Sequence, residues 1–186
     1  MSVPRFAFSH AGLWVFDLKA MERFYRAVFG FAVTDRGVLR GRDIVFLSRN
    51  PREHHELVLV AGRTGAPADT SLNQLSFRLR SLAELRRMHG HVARIRGVAD
   101  INPVDHGNAW AVYFRDPEGN RIELFVDAPW YVRQPLAEPL DLSLSDRAIR
   151  ARTRRRHAAD RTLEPAPAWR RRLKARLAGR AKPRAR

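Results

Sequence analysis

Apolar residues recur at two different spacings along residues 1–128, and these spacings predict where helices and strands lie. LKAMERFYRAVFGF (18–31) repeats apolar residues three and four positions apart, which is typical of a helix with one buried face. Short runs rich in β-branched and aromatic residues surround this helix and predict strands. These runs are FSHAGLWVF, FAVTDR, VLRGRDIVFLSR and HHELVLVA. The predicted order of elements is therefore βαβββ.

The same order returns in the second half of this region. LNQLSFRLR (72–80) predicts a strand, and SLAELRRMHGHVARI (81–95) predicts a helix in which Ser81 and Glu84 have the spacing of a capping box. Three more strand-like runs follow, with a DPEGN turn before the last: DINPVDHG, AWAVYFRD and RIELFVDA. We therefore predict an α+β domain over residues 7–128, made of repeat units at about 7–61 and 72–128.

The composition changes beyond residue 128. Residues 129–145 are punctuated by proline, which predicts an extended segment that wraps over the domain. Residues 146–186 contain 16 Lys/Arg and 3 Asp/Glu, so this basic tail carries +13 of the net charge of +16. We expect the tail to be helical or disordered, with its last six residues, AKPRAR, disordered. Its charge predicts weak, nonspecific contact with a polyanion.

The chain has 186 residues and no cysteine. This composition excludes disulfides, thiolate metal sites and cysteine nucleophiles, and it is typical of a protein in a reducing compartment. No apolar run reaches the roughly 18–20 residues of a membrane span. The N-terminal MSVPRFAFSHAG lacks the basic and then apolar pattern of a signal peptide. We therefore expect a cytoplasmic protein without a membrane span.

Several histidines and one glutamate occupy equivalent places in the two repeats. His10 begins the first predicted strand, and His54 and His55 begin the fourth. His106 lies in the turn before the seventh strand, and Glu123 lies inside the apolar run RIELFV. Each of them, taken alone, is typical of a surface position, because alternate residues of a strand face outward. Their equivalent placement in two repeats makes a coincidence of surface positions less convincing.

Two longer stretches carry a family resemblance. SHAGLWVFDLKAMERFYRAVFGF resembles the opening of a vicinal oxygen chelate module, and YFRDPEGNRIELF resembles its closing. The resemblance covers about residues 7–140. This superfamily includes glyoxalase I, fosfomycin and bleomycin resistance proteins, and type I extradiol dioxygenases. It implies that paired βαβββ modules form a half-barrel of mixed sheet around a metal or ligand cleft. The order of motifs is most similar to the catalytic domain of catechol 2,3-dioxygenases.

The resemblance implies an Fe(II) site with His10, Gln74 and Glu123 as ligands. The metal triad of the family is two histidines and one glutamate, and Gln74 stands where the second histidine belongs. An amide oxygen is a neutral and weaker donor toward Fe(II) than imidazole. We therefore expect reduced iron affinity, with another divalent metal or no metal as the open alternatives.

The resemblance also implies three catalytic residues. His55 matches an acid/base histidine, His106 a histidine that bonds a substrate oxygen, and Tyr113 the active-site tyrosine. The spacing from His106 to Tyr113 is two residues shorter than in the family. Glu56 is the alternative to His55, because a glutamate faces the cleft at the matching place in glyoxalases. Strand alternation allows only one of these two neighbours to face the cleft, and the pattern favours His55.

These residues predict an oxidoreductase that cleaves a catechol-type aromatic diol in the breakdown of aromatic compounds. One alternative is a metal-free protein that binds a small molecule, for which Gln74 is the discriminating feature. Another alternative is a glyoxalase-like isomerase or lyase, which requires Glu56 as a ligand. The expected partners are a small aromatic ligand and a second copy of the chain in a homodimer.

Overall fold

The computed structural model describes residue 4 and residues 7–67 and 71–180. Helix α1 (Leu18–Phe29) begins after Asp17, whose side chain accepts a hydrogen bond from the backbone N of Ala20. It ends at Gly30, which has the positive φ of 69° that favours glycine. The strands of this module are β1 (Ala11–Val15), β2 (Ala32–Leu39), β3 (Arg42–Ser48) and β4 (Leu57–Ala61). They form a sheet in the order β1-β4-β3-β2, with β1 parallel to β4.

The second module repeats this topology. Its elements are β5 (Leu75–Arg78), α2 (Leu82–Val92), β6 (Ala99–Asp105), β7 (Ala109–Arg115) and β8 (Arg121–Asp127). The strand order is β6-β7-β8-β5, with β5 parallel to β8. Ser81 caps α2 as predicted, because its hydroxyl accepts a hydrogen bond from the backbone N of Glu84. The predicted α+β fold with paired βαβββ modules is confirmed, as two open mixed sheets.

Helix α1 joins the two modules through one hydrophobic core. The ring of Phe29 lies 4.7 Å from that of Phe77 and 6.4 Å from that of Phe114, centroid to centroid. The hydroxyl of Tyr25 donates a 2.9 Å hydrogen bond to Asp116 in the turn after β7. A smaller cluster on the other face of the second sheet contains Val104, Ala111, Tyr113 and Phe125. The second sheet therefore has one face in the main core and one face with separate side chains.

The C-terminal residues add short strands and two helices. These elements are β9 (Trp130–Tyr131), β10 (Glu138–Pro139), α3 (Asp146–Arg156), β11 (Glu164–Pro165) and α4 (Ala166–Arg180). β10 extends the second sheet beside β6. Among the helices of the described residues, none has the length and apolar composition of a membrane span.

The two C-terminal helices differ in how they contact the domain. α3 buries Ile149 and Thr153, and the hydroxyl of Thr153 accepts a 2.9 Å hydrogen bond from the indole of Trp110. α4 is anchored near its beginning, where Trp169 stacks on Tyr131 at 5.0 Å. Helix α3 therefore packs on the domain although it is rich in basic residues. The segment 181–186, which we expect to be disordered, lies outside the described residues.

Candidate functional site

A row of four side chains crosses the second sheet. Asn102, Tyr113, Glu123 and Ser76 are successive register partners on β6, β7, β8 and β5. Because alternate strand residues face opposite sides, Tyr113 lies on the face away from the core residues Val112 and Phe114. The row therefore brings polar groups from four strands to one face of the sheet.

The carboxylate of Glu123 is held by three donors. The hydroxyl of Tyr113 donates to Oε1 at 2.5 Å. Oε2 accepts from the hydroxyl of Ser76 at 2.5 Å and from Nε2 of Gln74 at 2.8 Å. Glu123 is only 8% exposed, and hydrogen bonds of this kind compensate the loss of water around a carboxylate. Both oxygens of Glu123 are therefore engaged by side chains of β7 and of the segment around β5.

His106 extends this network toward the C-terminal segment. Its Nε2 lies 2.9 Å from the hydroxyl of Tyr113, and its Nδ1 lies 2.5 Å from the backbone O of Leu136. A carbonyl oxygen only accepts hydrogen bonds, so Nδ1 carries a proton. Gln134 also donates a 2.7 Å bond to the backbone O of His106. The predicted residues His106, Tyr113, Gln74 and Glu123 therefore form one hydrogen-bonded network.

The environment of Tyr113 keeps its hydroxyl protonated. Burial, and next the hydrogen bond to Glu123, raise the pKa of Tyr113 well above its ordinary value. The guanidinium of Arg121, 4.2 Å from the centre of the Tyr113 ring, lowers this pKa by a smaller amount. At neutral pH Tyr113 is therefore a neutral donor to Glu123.

The first module holds a second group of side chains. The rings of His10 and His55 lie 4.2 Å apart. Nδ1 of His55 lies 2.9 Å from Nδ1 of His54, and Nε2 of His54 lies 2.7 Å from Oδ2 of Asp35. Because Asp35 accepts the proton on Nε2, neutral His54 accepts at Nδ1 and His55 donates. The lone pair of neutral His55 is then on Nε2.

Burial, and next the charges of His10 and His54, lower the pKa of His55. Neutral His55 is therefore favoured over the protonated form. Glu56 does not join this group, because its carboxylate accepts a 2.7 Å hydrogen bond from the backbone N of Arg49 and lies 3.5 Å from the hydroxyl of Ser48. The ring of His55 thus contacts His10, whereas the carboxylate of Glu56 binds the backbone after β3.

The two groups remain separate. No hydrogen bond, ion pair or ring contact in the described part of the chain joins His10 to Gln74 or Glu123. Across residues 7–67 and 71–180, no three His, Asp or Glu side chains converge as metal ligands would. Three donors hold the carboxylate of Glu123, and the amide nitrogen of Gln74 is one of them, so both side chains would have to rearrange to hold a metal together with His10. As arranged here, the donors do not fit a metal centre.

Some residues of these groups escape sequence reasoning. Ser76 is two residues after Gln74 in the run 72–80 that predicts a strand, so their shared face was a detectable signal. His54 was noticed, but its partner Asp35 lies 19 residues earlier and carries no motif. The contact of Leu136 uses a backbone oxygen, so the residue type gives no signal.

Two cavities lie in the domain, and one of them borders the site. One, of about 400 Å³, lies beside Tyr113 and is lined by Asn102, Arg115 and Arg121 among other residues. The other, of about 580 Å³, lies against β1 and is lined by Gly12 and Trp14 among others. Both volumes are in the range of small-molecule sites in proteins. The site is therefore suited to bind a small ligand.

A comparison with known families gives this arrangement a context. The family model of the Glyoxalase/Bleomycin resistance protein/Dioxygenase superfamily matches residues 7–124. The chain belongs to this superfamily. Two curated members of the superfamily, from Rhodococcus globerulus, are similar to it. Biphenyl-2,3-diol 1,2-dioxygenase 3 is 32% identical over 129 residues, and biphenyl-2,3-diol 1,2-dioxygenase 2 is 25% identical over 130 residues. These alignments cover 67% and 68% of the chain but only 64% of each relative.

Solved structures of the superfamily share the fold at low identity. A domain from Frankia sp. EAN1pec has a TM-score of 0.57 and 21% identity, covering 67% of this chain and all of that one. FosX from Listeria monocytogenes, complexed with Mn(II) and sulfate, has a TM-score of 0.52 and 16% identity, covering 66% and 93%. Lactoylglutathione lyase from Agrobacterium tumefaciens has a TM-score of 0.50 and 24% identity, covering 67% and 96%. The superfamily fold therefore supports dioxygenase, lyase and resistance proteins, and it includes a member with a divalent metal.

Proposed function

We propose that this protein binds a small phenolic ligand of the catechol type beside Glu123, without a bound metal. The observation that carries the proposal is the hydrogen bond from Gln74 to Glu123. Gln74 and Glu123, which the resemblance implies as metal ligands, bond each other here, while Ser76 and Tyr113 occupy two more of the roughly four lone pairs of the carboxylate. Each donor that holds the carboxylate competes with a metal for its lone pairs.

The network offers suitable partners to a phenol. A ligand hydroxyl can take the place of Tyr113 and donate to Oε1 of Glu123, and the freed hydroxyl of Tyr113, 2.9 Å from His106, can then donate to the ligand oxygen. The side chains of Ala111 and Phe125, on the same face of the sheet, supply an apolar surface for a ring. The names of the two relatives, both biphenyl-2,3-diol dioxygenases, support an aromatic diol as the ligand class.

Titration of the full chain with catechol in the presence of a chelator tests this proposal. We expect saturable binding by calorimetry, weakened at least about tenfold in His106→Ala, which removes one polar partner of the ligand. His91→Ala, in α2 and distant in sequence from the network, serves as the matched control. Absence of catechol binding in the chelated wild type would contradict the proposal.

A second candidate is an extradiol-type oxidoreductase with Fe(II) or another divalent metal on His10, Gln74 and Glu123. In this candidate His55, His106 and Tyr113 would move protons. The observation that favours it is the 4.2 Å contact between the rings of His10 and His55. It requires Glu123 to release its hydrogen bonds to Gln74 and Ser76, which makes it the less supported candidate.

A glyoxalase-like function requires Glu56 in the cleft. The carboxylate of Glu56 instead bonds the backbone N of Arg49 at 2.7 Å. Hydrogen bonds to a charged group of this kind contribute about 1.5–3 kcal/mol. We therefore do not assign a ligand role to Glu56.

Two partners follow from exposed surfaces. We propose that α4 makes weak, nonspecific contact with polyanions, because its cations, including Arg171 and Lys174, are exposed. We also propose a homodimer through the first module, where Trp14, Val38 and Leu39 are 53%, 69% and 59% exposed. Val38 and Leu39 are neighbours on the edge strand β2, and contiguous exposed apolar surface marks interaction sites.

A further inference from the structure

Arg121 lies at the edge of the proposed ligand site. It is two residues before Glu123 on β8, so both side chains leave the sheet on the same face. Its guanidinium carbon lies 4.2 Å from the centre of the Tyr113 ring. Stacking of this kind fixes the plane of a guanidinium while leaving its N–H groups free to donate.

Within residues 7–67 and 71–180, the charge of Arg121 has no ion-pair partner. Its register partner Arg115 pairs with Asp100 at 2.9 Å and donates to the backbone O of Gly119 at 2.8 Å. Arg121 makes no ion pair or hydrogen bond within the described residues. Asp100 is the only acidic residue that lines the 400 Å³ cavity in the described part of the chain, and its charge is already compensated. The cavity therefore has an excess of one positive charge.

We propose that this cavity takes the carboxylate of a phenolic acid, with Arg121 as the residue that determines specificity. The inference rests on the proposed function, since it places the ligand hydroxyl at Tyr113 and Glu123. A planar guanidinium binds a carboxylate through two parallel N–H···O bonds. Asn102, which also lines the cavity, offers an amide as a further donor. Glu123 does not line this cavity, so its carboxylate is not among the charges that directly face the carboxylate of the ligand.

Binding of three probes to the full, chelated chain tests the inference. The probes are catechol, 2,3-dihydroxybenzoate and benzoate, compared in wild type, Arg121→Gln and Arg78→Gln. Arg78 is a matched control because its guanidinium also stacks on an aromatic ring, Phe125 at 5.1 Å, but it pairs with Asp127 at 3.4 Å and does not line the cavity.

We expect wild type to bind 2,3-dihydroxybenzoate about tenfold or more tightly than catechol, as charge-assisted bonds predict. Arg121→Gln should lower the affinity for 2,3-dihydroxybenzoate far more than the affinity for catechol and so remove this preference, whereas Arg78→Gln should keep it. Equal affinity of wild type for both diols overturns the inference about Arg121, and so does a preference that survives in Arg121→Gln. Neither result contradicts the proposed function. Failure of both diols to bind overturns the proposed function. Benzoate binding that is lost in Arg121→Gln would in that case still support the carboxylate site.

Discussion

The hydroxyl of Tyr113 donates a 2.5 Å hydrogen bond to Oε1 of Glu123, directly across the register of β7 and β8. This contact connects the proton on a tyrosine, whose pKa burial raises, to a carboxylate that is 8% exposed. A donor at this place satisfies the carboxylate without a metal. Removal of this contact should therefore change the stability of the protein.

Tyr113→Phe removes this donor and the partner of His106 while keeping the ring. Loss of a hydrogen bond to a buried charged group predicts a decrease of about 1.5–3 kcal/mol in the free energy of unfolding. Urea unfolding, monitored by far-UV circular dichroism, measures this change. Tyr131→Phe is the control, because Tyr131 contacts Trp169 through its ring. A change of the same size in both variants would contradict the role of the hydroxyl.

Thr153→Val tests the packing of α3 on the domain. Thr153 is 1% exposed, accepts from Trp110 and donates to Asp105 at 2.6 Å. A valine of similar shape leaves the indole N–H of Trp110 without its acceptor and removes one donor from Asp105, and an unsatisfied buried group costs about 1–3 kcal/mol. We expect a clear decrease in the urea midpoint of Thr153→Val and little change in Thr34→Val, which alters an exposed threonine. Equal midpoints for wild type and Thr153→Val would show that α3 is not bound to the domain.

The lowered pKa of His55 predicts that the protein loses stability on acidification. Burial, followed by the charges of His10 and His54, lowers its pKa in the folded protein. The unfolded chain therefore binds a proton at a higher pH than the folded protein does. Neutral His55 therefore contributes to the free energy of unfolding above the ordinary pKa of histidine. This contribution is lost as the pH falls through that pKa toward the lowered pKa of the folded protein.

Unfolding in urea at about pH 7.5 and about pH 5.5 measures this dependence. We expect a smaller difference between the two pH values in His55→Asn than in wild type. His91→Asn is the control for the removal of a histidine in another region. An unchanged pH dependence in His55→Asn would contradict the lowered pKa.

The basic residues of α4 predict binding to polyanions that depends on salt. Residues 166–186 include nine Lys/Arg, and the helix contacts the domain mainly near its beginning. A chain that ends at Pro165 removes these charges and retains α3 on Trp110. We expect it to elute from heparin at lower salt than the full chain, because fewer counterions are released on binding. Elution at the same salt concentration would assign the retention to the remaining domain.

The sequence predicted the two βαβββ modules because their signals are local. The helical spacing in 18–31 and the DPEGN turn act over a few residues, and the structure follows them. The docking of α3 was not predictable in this way. Only Ile149 and Thr153 are buried in a helix that is otherwise rich in arginine, so the composition resembles that of a solvated tail.

The site was predictable only in part, for a similar physical reason. Sequence reasoning marked Gln74 and Glu123 through family resemblance, and the structure places them 2.8 Å apart. It did not show that the amide would donate to the carboxylate, because that depends on the parallel pairing of β5 and β8. It also missed Arg121, since an arginine on a strand acquires meaning only when its partners are known.

Iron content tests most directly whether hydrogen bonds to Glu123 take the place of a bound metal. Wild type, Gln74→His and Gln74→Leu are purified anaerobically with Fe(II), and iron per chain is measured by mass spectrometry. We predict far less than one iron per chain in wild type, because Gln74 and Ser76 hold the carboxylate of Glu123. Gln74→His should gain iron and Gln74→Leu should not, since imidazole is a good ligand of Fe(II). About one iron per chain in wild type would contradict the account and favour the oxidoreductase with a His/Gln/Glu site.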